Sequence, residues 1–304
     1  MSLSLSLSTG LSQIHGGFYD FAIAPFQEFA FMRRALVGTL ALALSSAPLG
    51  VLLTLRRMSL FGEALSHAVL PGVAVAFILF GLSLPALSVG GFLAGVIVVG
   101  VAGMISRYTD LKEDASLAAT YLVALALGVI LISKFGSQID LLHILFGNVL
   151  GVDTGGLLLV AGVSTVSVLL LAGLYRGFLL ETFDPAYLAA SGSRGSIYQQ
   201  LFLMLVVLNL VASFQTLGTL MAVGLMMLPA VSARLWHDTL PAQLVNSMVQ
   251  AAAAGYAGLM LSYYASVPSG PTIIVCAGAF YLLSLLIAPR GWLPRILRRP
   301  HLRG

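Results

Sequence analysis

Glu63 and His67 are four residues apart in Gly62-Glu63-Ala64-Leu65-Ser66-His67-Ala68-Val69-Leu70-Pro71-Gly72. If that stretch is helical, the carboxylate and the imidazole leave the same face one turn apart. The stretch opens an apolar run long enough to cross a bilayer. An ionisable side chain at bilayer depth costs roughly 2.5–3.5 kcal/mol on insertion scales, so such residues usually have a task. Carboxylate oxygen with imidazole nitrogen is a donor set for Mn²⁺, Fe²⁺ or Zn²⁺. One chain offers only this pair, and a two-fold dimer would double it. The competing reading is an acid near Arg56 and Arg57 beside a hydrogen-bonded buried histidine. Ser66 could orient a ligand from behind. Pro71 removes the amide hydrogen that would reach the His67 carbonyl. That oxygen is then available as a further ligand or a point of flexure, with Gly72 loosening the turn.

The elements that must hold these residues are membrane spans. The chain is 59% hydrophobic and 9% charged, whereas a soluble domain carries about 25% charged residues. We read nine apolar segments, at 33–55, 63–80, 84–106, 115–133, 154–175, 198–213, 217–235, 240–264 and 271–288. The segments at 63–80, 198–213 and 217–235 are short or interrupted, a feature of helices that line pathways. The predicted fold class is therefore all-α and polytopic. Residues 1–32 form an extracytoplasmic or interfacial segment, 33–289 the transmembrane domain and 290–304 a basic cytoplasmic tail. Within the first segment, the aromatics of 18–32 suit the headgroup level. Residues 1–17 lack the charged start of a secretory signal. Residues 139–150 are too short to span and read as an outer helix.

With the N-terminus outside, twelve Lys and Arg residues fall on the cytoplasmic side and three, Arg33, Arg34 and Lys134, outside. The positive-inside rule then sets the N-terminus out and the C-terminus in. The same rule accounts for the net charge of +4 without nucleic acid. Neither lysine, Lys112 or Lys134, sits in a P-loop pattern, so the chain has no Walker A site. Any ATPase that drives it is a separate polypeptide. The single cysteine, Cys276, excludes an intrachain disulfide. Asn209, Gln215 and Gln250 read as interhelical hydrogen-bonding groups, and Gly91, Gly95, Gly100 and Gly103 as close-packing positions. His237 with Asp238 reads as an interfacial loop.

Several motifs, in order, resemble the permease of ABC transporters that import manganese, zinc or iron. These are Leu55-Arg56-Arg57-Met58 running into Gly62-Glu63-Ala64 and Ser66-His67-Ala68-Val69-Leu70-Pro71-Gly72, then Lys112-Glu113-Asp114, then Asp140 with Leu145-Phe146-Gly147-Asn148-Val149-Leu150-Gly151-Val152. Phe183-Asp184-Pro185, the run from Gly218 through Leu228-Pro229-Ala230, and Pro268-Ser269-Gly270-Pro271-Thr272 complete them. The resemblance covers nearly all of the chain after residue 25. Where the family often has Asp, this chain has Glu63, and where it often has Glu after the proline, Ala186. The wording His143-Ile144-Leu145-Phe146-Gly147-Asn148 leans toward the manganese and iron branch.

The resemblance implies an importer permease fold like that of the cobalamin permeases. It implies a homodimer, two cytoplasmic ATPase subunits and an extracytoplasmic metal-binding protein, in a cell membrane. It assigns Glu63 and His67 to the metal path. It makes Phe183, Asp184, Pro185, Ala186, Tyr187 and Gly192 the segment that docks into the ATPase, with Asp184 a helix cap followed by proline and Gly192 a stop. A second metal contact where the ion comes in, at Asp140 and His143, is an open possibility. Three alternatives stand: an ion-coupled secondary transporter without an ATPase, a siderophore or cobalamin permease, and a membrane scaffold.

Overall fold

The computed structural model describes residues 23–81, 83–135, 152–184, 187–188 and 195–297. Among them every regular element is a helix. In chain order these are α1 (Ala24–Glu28), α2 (Ala30–Leu55), α3 (Phe61–Ala68), α4 (Leu70–Phe80), α5 (Leu84–Tyr108), α6 (Glu113–Phe135) and α7 (Thr154–Gly173). After them come α8 (Tyr175–Phe183), α9 (Gly195–Leu217), α10 (Thr219–Trp236), α11 (Leu240–Ala265), α12 (Ser269–Ile287) and α13 (Trp292–Leu297). Nine helical stretches of the described residues are long and apolar enough to cross a membrane, with α3 and α4 together making one.

Local chemistry sets the boundaries. Prolines occupy the first turn of α1, α4, α5 and α11, where the missing amide hydrogen would have no helical partner. Asp153 caps α7 by accepting from the Gly156 amide at 2.7 Å. Gly218, at φ 92°, is the whole connection between α9 and α10. The bundle is built around α2, whose apolar window is 72% buried against 22% for α6 and α7. It packs on α7, α10 and α11, while α4, α5 and α6 pack on one another. Close backbone approach holds the centre: a Cβ on Gly50 would lie 1.9 Å from the Met226 carbonyl oxygen.

Three expectations need correction. The spans expected at 198–213 and 217–235 are both unbroken; the first, at 23 residues, is not short, while the second, at 18 residues, is short as expected. Helix α9 extends three residues before the apolar run and four beyond it, because backbone hydrogen bonding continues through Gly195-Ser196-Ile197 at one end and Phe214-Gln215-Thr216-Leu217 at the other. Pro229 lies inside α10 without ending it. Only 63–80 is divided, at Val69. The amphipathic segment 18–32 also ends sooner: α1 stops at Glu28, Phe29 turns to an extended conformation, and residues 30–32 begin the first span. Third, Gly91 and Gly95 face Val73 and Val207 closely, but a Cβ on Gly100 or Gly103 would meet nothing within 4 Å. Those two are not at helix crossings. The expected outer helix at 139–150, with Asp140 and His143, lies outside the described residues.

Candidate functional site

The turn that presents Glu63 is made by the end of α2. The Met58 amide donates to Leu53 O at 2.9 Å and the Arg57 amide to Thr54 O at 3.2 Å. That is a Schellman closure, with Arg57 in the left-handed position usually held by glycine, at φ 61°. A side chain there costs about 1–2 kcal/mol. Met58 is buried just beyond it. Helix α3 then starts at Phe61, making Glu63 its third residue and His67 its seventh.

Helix α3 is two-sided. Phe61, Gly62, Leu65 and Ala68 are buried, and a Cβ on Gly62 would approach the Met226 Cε to 2.7 Å. Leu60 and Glu63 are exposed and His67 half-exposed. Glu63 and His67 share a cleft of about 490 Å³ with Arg57, Asp114 and Tyr121. Among the described residues nothing bonds to the Glu63 carboxylate or the His67 ring. That leaves carboxylate oxygen and imidazole nitrogen facing the cleft, able to meet a hard or borderline cation. No three potential metal ligands of the described residues come together in one chain.

The neighbouring residues are placed differently from what the sequence suggests. Ser66 is buried and its hydroxyl donates to the Glu63 carbonyl at 2.7 Å, not to either side chain of the pair. Pro71 falls in the first turn of α4 rather than inside a continuous helix. The Val69 amide donates to the Leu65 carbonyl at 3.3 Å, across the division between the two helices. Gly72 is a packing position. A Cβ there would lie 2.0 Å from Gly90 O, and one on Gly90 would lie 2.5 Å from Gly72 O. Gly128 receives the break itself, its Cβ position being 2.9 Å from Pro71 N.

A second constellation gathers beside this turn. The Arg56 guanidinium lies 4.4 Å from the centre of the Phe202 ring. Its Nε donates to the Thr182 hydroxyl at 3.0 Å. Burial lowers the Arg56 pKa, opposed by the nearby Glu181 and Glu113 charges. Burial likewise raises the Glu181 pKa, opposed by Arg56 and reinforced by Glu113. Glu113 accepts from Gln199 Nε2 at 2.7 Å. Helix α8 continues past Thr182 into an exposed Phe183 and to Asp184. The Asp184 carboxylate accepts from the Tyr187 amide at 2.9 Å, as a helix cap does. Tyr187 is exposed; Pro185, Ala186 and Gly192 lie outside the described residues.

Residues 28–288 match the model of the ABC 3 transport family. The chain belongs to that family. It is 36% identical over 264 residues, 87% of this chain and 93% of the relative, to the manganese import system permease protein ScaB of Streptococcus parasanguinis. The solved structure of PsaBC from Streptococcus pneumoniae in complex with Fab includes a chain with 33% identity and a TM-score of 0.79. The match covers 90% of this chain and 98% of that one. A metal-chelate type ABC transporter in an inward-facing conformation has the same fold at 17% identity and a TM-score of 0.65, covering 83% and 84%. This ABC 3 permease is thus an all-α, multi-pass transport subunit.

In this ABC 3 chain the structure brings Glu63 and His67 into one cleft and keeps them apart from Arg56. Asp114 is a cleft residue that the pair's own spacing did not reveal. The available signal was the Lys112-Glu113-Asp114 motif at the start of a span. The Arg56 network had no local signal, because its hydrogen-bond partners are more than 120 residues away. Asn209 does bridge helices, its Nδ2 donating to Ser167 Oγ at 2.6 Å. Gln250 instead donates to Asn246 within its own helix, since those two stand one turn apart. The Gln215 side chain lies outside the described ones. His237 is a loop residue, its carbonyl accepting from Gln243, and Asp238 pairs with Arg290.

Proposed function

We propose that this chain is the membrane permease of an importer for divalent metal, with Mn²⁺ the preferred substrate over Fe²⁺ and Zn²⁺. The observation that carries the reading is the unpaired Glu63–His67 couple in one cleft of an ABC 3 chain. The manganese permease named above, 36% identical, supports the choice of ion.

In this reading two copies of the chain face each other, and their two carboxylates and two imidazoles receive the ion. Mixed O/N ligation binds a Mn²⁺-like ion without the grip of a thiolate cage, so the ion can leave again. An extracytoplasmic metal-binding protein delivers the metal, and two ATPase subunits supply energy from the cytoplasm. The N-terminus is outside and the C-terminus inside a cell membrane. Residues 33–289 are the permease domain, between a 1–32 interfacial segment and a basic 290–304 tail. The segment around Phe183, Asp184, Pro185, Ala186, Tyr187 and Gly192 docks on the ATPase. Asp140 and His143 belong to the side from which the ion comes.

Uptake of radiolabelled Mn²⁺ and Zn²⁺ by cells making the whole transporter tests this. Glu63→Ala and His67→Ala, at matched expression and assembly, are expected to lose uptake by more than about tenfold, because loss even of residues behind a metal's ligands costs that much. Retained uptake in both variants would refute the site. Uptake that survives a hydrolysis-dead ATPase would instead indicate an ion-coupled transporter.

A further inference from the structure

We propose that Arg56 is the positioning residue through which movement of the ATPase-docking segment reaches the metal-binding pair. The inference rests on the functional reading above, and concerns how the energy arrives rather than what is carried.

Arg56 is seven residues before Glu63, at the junction that aims α3. Its side chain leaves that junction and enters the α8–α9 contact. Nε donates to Thr182 Oγ1 at 3.0 Å, and one terminal nitrogen reaches Phe178 O at 3.5 Å. The Thr182 hydroxyl donates its own hydrogen to Phe178 O at 2.6 Å, so its lone pair is turned toward Arg56. The guanidinium carbon lies over the Phe202 ring, 4.4 Å from its centroid. Phe178 and Phe202, both buried, meet edge to face at 5.9 Å. Arg56 is therefore bound to α8 by hydrogen bonds and to α9 by its ring contact.

The two ends of this connection are stiff. On one side, Thr182 is followed at once by exposed Phe183 and the Asp184 cap. On the other, the Arg57 and Met58 amides tie the turn to the end of α2 through Thr54 O and Leu53 O. Phe61 is tied back to Met58 O at 3.0 Å. A displacement of α8 that drags Arg56 pulls on this hydrogen-bonded turn, and through it on α3 with Glu63 and His67. The Glu181 and Glu113 charges oppose, without cancelling, the effect of burial on the guanidinium. Lysine would retain charge at this place but not the delocalised guanidinium over Phe202.

The test uses the complete permease–ATPase complex with its binding protein in proteoliposomes, and reads Mn²⁺ imported per ATP hydrolysed. Equilibrium Mn²⁺ binding to the solubilised complex is measured beside it. Arg56→Ala is expected to lower the transport ratio about tenfold while ATP hydrolysis continues and Mn²⁺ binding stays within about twofold. Arg56→Lys should recover part of the ratio. A wild-type ratio in Arg56→Ala overturns the proposal. So does a loss of Mn²⁺ binding equal to the loss of transport, which marks a merely structural residue. If Arg56→Ala does not assemble, Thr182→Val and Phe202→Leu decide, each expected to lower the ratio about two- to fivefold; unchanged ratios in both overturn it. A wild-type complex that hydrolyses ATP but imports no Mn²⁺ refutes the underlying reading, whereas retained coupling in Arg56→Ala refutes the Arg56 role alone.

Discussion

Glycine does two jobs in this chain that look alike in the sequence. Gly218 is needed for its backbone angle, at φ 92°, which a side chain adopts only with strain. Gly72 is needed for space, because its neighbour across the helix crossing is the Gly90 backbone. Backbone cannot swing aside as a flexible side chain can, so even a methyl group forces α4 and α5 apart. Gly72→Val is therefore expected to destabilise the permease by about 1–3 kcal/mol or more. The measurement is thermal unfolding in detergent, and an unchanged melting temperature would contradict the packing role. Gly100→Ala is the matched control, because a Cβ there meets nothing within 4 Å. It should leave the melting temperature near wild type.

At the scale of elements, α3 and α8 are short helices that do the positioning, while the long helices make the frame. The α8 end is electrostatically uneasy: burial raises the Glu181 pKa despite Arg56 nearby. A carboxyl that holds its proton more tightly when folded makes stability fall as pH rises from its unfolded value, 4.5, through the raised folded one. Glu181→Gln should remove that decline and leave stability at neutral pH equal or higher. A steeper loss of stability toward neutral pH in the variant would show that the Arg56–Glu181 attraction outweighs desolvation. Helix α3 was legible in the sequence because Gly62, Glu63, Ser66 and His67 make an obvious pattern. Its partners were not. No periodicity in 55–72 reports that Met226 lies under Gly62, or that Gly128 seats Pro71.

For the whole molecule, the exposed side of α3 is where the two-copy reading puts a neighbour. Leu60 is 76% exposed, at the mouth of the cleft that holds Glu63 and His67. A single chain brings no third ligand to that pair among the described residues. The two-copy reading predicts that Leu60→Cys, in a Cys276→Ser background, gives a permease dimer when the assembled complex is treated with a short bismaleimide. Cross-linking should fall when the same cysteine is moved to Leu158, an exposed position on peripheral α7. Equal yields at the two positions would argue against the two-fold arrangement around the metal.

The sequence by itself determined the all-α membrane class, nine spans and the pairing of Glu63 with His67 on one helix face. These follow from composition and from side-chain spacing within a single element, which local geometry dictates. It also marked Asp184 as a cap, for the same local reason. Tertiary structure decided the rest. It extended α9 through polar residues, because a helix ends where its hydrogen bonds end and not where hydropathy falls. It turned Gly72 from a flexible joint into a contact, and drew Ser66 away from the pair. It also joined Arg56 to Thr182 and Phe202, residues whose distance along the chain hides an adjacency that only packing creates.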